Sequence, residues 1–248
     1  MRVFVDGFGT IGHTLVRKLL ENHSIQKSEL LVNTYLLSEN SLFLDFLKAS
    51  NITFFDLSYK ELEKEILAFG PDYFLSIYGR RIIPKNILNL VKGRSINFHP
   101  SLLPDYKGCF SCPWVIINGE THTGITIHEM IEEVDAGKIL HQEKVEIMPS
   151  DTAYSLYHRL VGKFASSFDE FFSKLINNEL CSFNMPKGGT YYPRKVPYNG
   201  EIDRMWEDHK IDAFIRAMDF PPFKGAVLNY QNSQIEVNSL SQFKALVS

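Results

Sequence analysis

Short apolar runs alternate with amphipathic stretches from residue 2 to residue 99, and no other feature of the chain narrows its fold as much. Residues 2–6 (Arg-Val-Phe-Val-Asp) read as a buried strand. Gly7, Gly9 and Gly12 mark the turn that follows, and residues 11–22 carry Ile11, Leu15, Leu19 and Leu20 on one helical face. The alternation continues through strand 30–36, helix 41–49, strand 52–56, helix 59–69, strand 72–78, helix 84–91 and strand 95–99. Ser58 and Glu61 form a capping box at the head of helix 59–69, and Pro84 suits the first turn of helix 84–91. Such a pattern predicts an α/β fold around a Rossmann-like, doubly wound, mostly parallel sheet.

After residue 99 the pattern changes. A loop holding Pro100, Pro104 and Gly108 precedes a short helix near 112–118, strands at 123–130 and 138–147, and a long helix at 151–176. Residues 184–200 have a linker composition. They lead to a helix at 208–218 and a hairpin pairing 225–230 with 234–238 around Gln231-Asn232-Ser233. The expected organisation is a core over residues 1–183 and a small extension of helix and β-hairpin over 184–248.

Composition removes several classes of function. Lys+Arg total 26 against Asp+Glu 29, a formal charge of -3, with 44% hydrophobic residues, so neither disorder nor a polycation fits and nucleic acid is not an expected partner. No apolar run approaches the length of a membrane span, and the first residues soon turn polar, so a cytoplasmic location without membrane or signal segment is expected. Cys109, Cys112 and Cys181 are an odd number, which argues against a disulfide framework.

Gly7-x-Gly9-x-x-Gly12 after a strand has the form of a dinucleotide fingerprint. That motif also needs an acid closing the second strand to hold a ribose; residues 31–38 contain none and Glu39 arrives late, so a structural tight turn is the favoured reading over NAD(P). Cys109-x-x-Cys112 lacks the second half of a zinc site. His122 and His128 share a strand face but are more simply strand positions, and no metal is expected.

A stronger constellation begins at the end of the fifth strand. Period-two geometry puts Asn97 and His99 on one face at the carboxyl end of the sheet, where such folds bind ligands, and Pro100 to Pro104 stiffen the loop that follows. Asp135, in the turn Glu132-Glu-Val-Asp-Ala-Gly137, adds a carboxylate able to orient His99 or take its proton. An amide donor, an imidazole and a carboxylate are what acyl transfer to an amine requires, although the same trio could be structural.

The segments Ser95-Ile-Asn-Phe-His-Pro-Ser-Leu-Leu-Pro-Asp-Tyr-Lys-Gly108, Trp114, Ile117-Asn-Gly-Glu120, Thr123-Gly-Ile-Thr-Ile-His128 and Glu133-Val-Asp-Ala-Gly-Lys-Ile-Leu140 resemble the folate-dependent formyltransferases. The resemblance implies 10-formyltetrahydrofolate as donor and co-substrate, and Asn97, His99 and Asp135 as catalytic residues. It also implies substrate contacts from Tyr78, Arg80, Ser101 and Lys107, and folate contacts from Arg81, Ile82, Ile83, His128 and Val134. Cys109-Phe-Ser-Cys112 departs from the family, where many members have Arg or Pro-rich residues.

The tail, with Tyr191-Tyr-Pro-Arg-Lys-Val-Pro-Tyr-Asn-Gly200, resembles the sugar-nucleotide N-formyltransferases. The implied acceptor is a dTDP-linked amino-dideoxysugar, dTDP-4-amino-4,6-dideoxyglucose, made for surface polysaccharide such as O-antigen. A methionyl-tRNA formyltransferase, which would continue into a β-barrel, is the alternative within the family; an NAD(P)-binding oxidoreductase or sensor is the alternative outside it. A dTDP-sugar carries a pyrophosphate that needs cations. Arg80, Arg194 and Lys195 are the candidates, with Tyr78 and Tyr192 offering rings or hydroxyls, unless the linker side chains merely pair on the surface. Val227, Ile235 and Val237 on the hairpin call for a covering surface, and the resemblance favours a second subunit, giving a homodimer.

Overall fold

A computed structural model describes residues 1–21, 25–91, 93–230 and 233–247. Gln231 and Asn232, at the tip of the expected hairpin, and Asn22, at the end of the expected first helix, lie outside the described residues. In chain order the elements are β1 (Val3–Gly7), α1 (Gly9–Glu21), β2 (Leu30–Asn33), α2 (Ser41–Ala49), β3 (Phe54–Phe55), α3 (Tyr59–Phe69), β4 (Tyr73–Ile77), α4 (Lys85–Leu88) and β5 (Ser95–His99). Then come β6 (Lys107–Gly108), α5 (Ser111–Ile117), β7 (His122–Glu129), β8 (Ile139–Glu146), α6 (Ala153–Ile176), β9 (Tyr191–Tyr192), α7 (Asp208–Met218), β10 (Ala226–Tyr230), β11 (Ser233–Val237) and α8 (Leu240–Val247).

The main sheet runs in the order β3-β2-β1-β4-β5-β7-β8. Pairing is parallel from β3 to β5, and β7 then joins β5 antiparallel. The expected mostly parallel, doubly wound sheet is therefore present.

Contacts group the chain into two compact units, and these do not follow the linear boundary at 183/184. The first comprises residues 1–99, 125–142 and 161–187; the second comprises 100–124, 143–160 and 188–248. Residues expected in the core thus pack with the tail, because α5 lays Val115 and Ile116 against an α7 face carrying Ile211, Phe214 and Ile215, all buried. In the same unit β6 pairs with β9 in a parallel two-residue ladder that the sequence reading did not include.

In the first unit, β5 alternates cleanly. Ile96 and Phe98 are buried, and the Phe98 ring lies 5.8, 6.0 and 5.9 Å from those of Phe164, Phe168 and Phe171 on α6. That aromatic clasp fixes the strand, and period two turns Asn97 and His99 to its other face.

The glycine turn after β1 is a packing device. Gly9 has φ +64°, and a Cβ on Gly12 would lie 3.1 Å from the Phe43 ring and 3.2 Å from the Gly7 carbonyl carbon. The Gly9 amide, the first of α1 and a group that would face a pyrophosphate, donates instead to Asn40 Oδ1 at 2.8 Å. Asn40 is itself buried, its amide donating to Thr34 Oγ1 and the Tyr35 carbonyl.

Several elements are shorter than the sequence suggests. β2 stops at Asn33 rather than 36 because side chains take over its ladder: Asn40 holds the Tyr35 carbonyl and Asp56 Oδ2 accepts the Leu36 amide. β3 is two residues and α4 a single turn. The hairpin strands form, and α8, which was not expected, follows them. β10 packs on α7 and β11 on α8, and the Val227 carbonyl accepts the Ile202 amide at 2.8 Å. Val227 and Val237 are thereby buried within their own chain, while Ile235 is half-buried. Among the described residues no helix is long and apolar enough to cross a membrane.

Candidate active site

The antiparallel register of β5 and β7 sets Asn97 opposite His128 and His99 opposite Thr126. Directly opposed residues share a face, so His128 joins the two expected side chains. Asp135 arrives from the turn after β7 with φ +50°, a strained backbone for a non-glycine residue. The turn lies flat on β7 because of Gly137, where any Cβ would sit 1.8 Å from the Glu129 carbonyl oxygen. This close approach gives the Asp-x-Gly spacing its physical meaning.

Four side chains meet there. Asp135 Oδ2 lies 3.5 Å from His99 Nδ1, and Oδ1 lies 3.4 Å from His128 Nε2. The Asn97 amide lies 3.1 Å from His128 Nε2 and donates to Asp135 Oδ1 at 3.3 Å. His128 Nδ1 is 2.8 Å from the Glu129 carbonyl, an acceptor only, so Nδ1 carries a proton and Nε2 is left to accept from Asn97. His99, His128 and Asp135 are buried and Asn97 is half-buried.

The 78–81 turn belongs to the same unit. Tyr78 has φ +61° and stacks on Phe8 at 6.4 Å. The Arg80 guanidinium lies over the Phe8 ring at 4.7 Å and pairs with Glu39 at 3.3 Å; that of Arg81 lies over Tyr35 at 4.6 Å and pairs with Asp56 at 3.1 Å. Ile82 is well exposed and Val134 partly so. Ile83, expected at the folate, is half-buried and packs against the buried cluster of Phe4, Phe74 and Ile87.

Five of the expected substrate residues, Ser101, Lys107, Tyr192, Arg194 and Lys195, belong to the second unit. Ser101 is fully buried and its hydroxyl donates to the Asp105 carbonyl at 2.8 Å, which closes the loop. Tyr192 is sandwiched between Tyr106 at 5.6 Å and Trp114 at 4.5 Å, and its hydroxyl accepts from Asn118 at 2.9 Å, so neither ring face is open as expected. Arg194 and Lys195 are exposed, and among the described residues neither they nor half-buried Lys107 forms an ion pair. All three cysteines are free; Cys112 is buried, which pushes its thiol up to about 12 and makes it a poor redox partner for Cys109. Among the described residues no group of three or more His, Cys, Asp or Glu is arranged to hold a metal ion.

The pattern of the family described as "Formyl transferase" matches residues 28–166. The chain belongs to that family. A curated formyl transferase relative, the GDP-perosamine N-formyltransferase of Brucella melitensis, is 36% identical over 251 residues, 99% of this chain and 95% of its own. Among solved structures, an N-formyltransferase from Helicobacter canadensis in complex with folinic acid and dTDP-3-aminofucose matches with TM-score 0.78 at 24% identity, covering 95% of this chain and 86% of that one. A 4-N formyltransferase from Francisella tularensis matches with TM-score 0.77 at 22% identity, covering 95% and 96%. These two share the fold.

Proposed function

We propose that this formyltransferase moves a formyl group from 10-formyltetrahydrofolate to the amino group of a nucleotide-linked amino-dideoxysugar, by direct attack of the amine. The observation that carries this reading is the convergence of Asn97, His99 and Asp135 in a family member. The amine nitrogen bonds to the formyl carbon while the bond from that carbon to the folate nitrogen breaks, and a proton passes from the amine to the departing nitrogen. Asn97 and His99 donate to the formyl oxygen as it gains negative charge. Asp135, beside His99 Nδ1, holds the ring and supports removal of the amine proton.

The acceptor is read as a GDP-linked amino sugar, supported by the Brucella relative, which aligns across nearly the whole chain. The dTDP-4-amino-4,6-dideoxyglucose expected from the sequence is the second reading. Lys107, Arg194 and Lys195 are the cations proposed for the diphosphate, and the formamido sugar is destined for surface polysaccharide. A panel of GDP- and dTDP-linked amino sugars with formyl-folate, followed by tetrahydrofolate release, tests this. The largest kcat/KM is expected with GDP-perosamine; a larger value with a dTDP sugar reverses the nucleotide, and no release with any of them overturns the reading.

A further inference from the structure

Asp6, next to last in β1, has no accessible surface, and the chemistry above does not use it. Its Oδ2 accepts from the Tyr59 hydroxyl at 2.5 Å and the Tyr35 hydroxyl at 3.3 Å, and its Oδ1 from the Asn33 amide at 3.1 Å. β1 lies between β2 and β4, where the strand order reverses; open α/β sheets bind ligands at the carboxyl edge of such a point. Burial pushes the Asp6 carboxyl up, opposed by the Tyr59 and Asn33 hydrogen bonds and by the charge of Arg81.

Tyr35 serves two partners. Its hydroxyl donates to Asp6 and accepts the backbone N–H of Arg80 at 2.8 Å, while its ring carries the Arg81 guanidinium. The intervening Gly79 is pressed onto the same carboxyl: a Cβ there would lie 2.9 Å from Ser76 Oγ and 3.1 Å from Asp6 Oδ2. Because the Tyr35 oxygen accepts the Arg80 N–H, its own hydrogen is directed at Asp6 Oδ2, so one hydroxyl links the carboxyl to the turn. Among the described residues, one acceptor meets the Arg80 guanidinium and two meet that of Arg81, out of five N–H donors each.

We propose that Asp6, acting through Tyr35, is a positioning residue that sets the 78–81 turn and with it the place from which Arg80 meets a substrate anion. The assignment rests on the formyl-transfer reading for the identity of that anion, which is the diphosphate of the sugar nucleotide or a carboxylate of the folate. The shared requirement is an oxyanion able to meet the Arg80 guanidinium, which is held over the Phe8 ring.

Calorimetric titration of the full chain with GDP, dTDP and folinic acid tests the proposal without turnover. Arg80→Ala is expected to weaken one class of probe, nucleotide or folate. Tyr35→Phe and Asp6→Asn should weaken that same class by about 5–20-fold and leave the other within about twofold. The Tyr35→Phe/Arg80→Ala double variant should bind as Arg80→Ala alone does, since both act through one group. Gly79→Ala, which displaces the turn without altering the tyrosine, should give the same selective loss. Additive losses, equal weakening of both classes, or unchanged affinity in Tyr35→Phe overturns the proposal, as does a wild-type chain that binds none of the probes. Failure of the functional reading is separate: it shows as normal probe binding with no tetrahydrofolate released from any amino sugar.

Discussion

Asn97 owes its orientation to His128, a partner supplied by an antiparallel neighbour. With one amide hydrogen directed at Nε2 and the other at Asp135, the side chain cannot flip without losing both bonds. His128→Leu should therefore lower kcat by about tenfold through a loosened Asn97, with KM values nearly unchanged. Asn97→Ala and His99→Ala should lower kcat by about 10²–10⁴ while folinic acid affinity holds within about twofold. Steady-state rates and calorimetry check both, and activity of either alanine variant within about fivefold of wild type would sink the assignment. Asn97, His99 and Asp135 were legible because strand period, a stiff Pro-bounded loop and an Asp-x-Gly turn all leave marks in the chain. His128 was read as a folate contact, and its pairing with Asn97 was hidden because sequence does not give the direction of β7. The Asp6 cluster left no mark either, since its donors Asn33, Tyr35 and Tyr59 come from two stretches of chain distant from Asp6 in sequence.

Whole elements were easiest to read where local chemistry states a boundary. The Ser58 and Glu61 box gives α3 its observed limits, and α7 and β5 also match their expected spans. α8 was missed although it carries a similar signal: the Ser239 hydroxyl accepts the Gln242 amide at 3.2 Å, and Gln242 Oε1 accepts the Asn238 amide at 2.8 Å. Two-residue pairings such as β6 with β9 have no period to detect and arise only from packing. The clasp on Phe98 makes a prediction for β5 as a unit. Phe98→Ala should cost about 3–5 kcal/mol in urea unfolding, because three α6 rings lose their shared partner; Phe98→Leu should cost markedly less. Equal losses for the two would mean that ring packing does not hold the strand.

At the scale of the whole molecule, the hairpin strands pack on α7 and α8 and bury Val227 and Val237, while Ile235 stays half-buried and Phe223 exposed. Light scattering tests a homodimer through this hairpin: a two-chain mass for the full chain that falls to one chain when it is cut at Asp219 is expected, and a full-length monomer, or a dimer that survives the cut, removes the hairpin as the interface. Arg194→Ala should raise KM for the sugar nucleotide and leave KM for the folate alone; equal rises, or none, would remove this residue from nucleotide binding.

The capping of Gly9 by Asn40 has a bearing on how the enzyme responds to its medium. Where a dinucleotide protein rests phosphate on backbone amides at the head of its first helix, this chain has closed that seat with its own buried side chain. Of the cations proposed above for the diphosphate, Arg194 and Lys195 are exposed, and the attraction of such charges fades beyond a Debye length of about 10 Å at 0.1 M salt. Its hold on the nucleotide should accordingly weaken steadily as potassium chloride is raised, so that ionic strength, more than shape, sets the concentration at which the enzyme works.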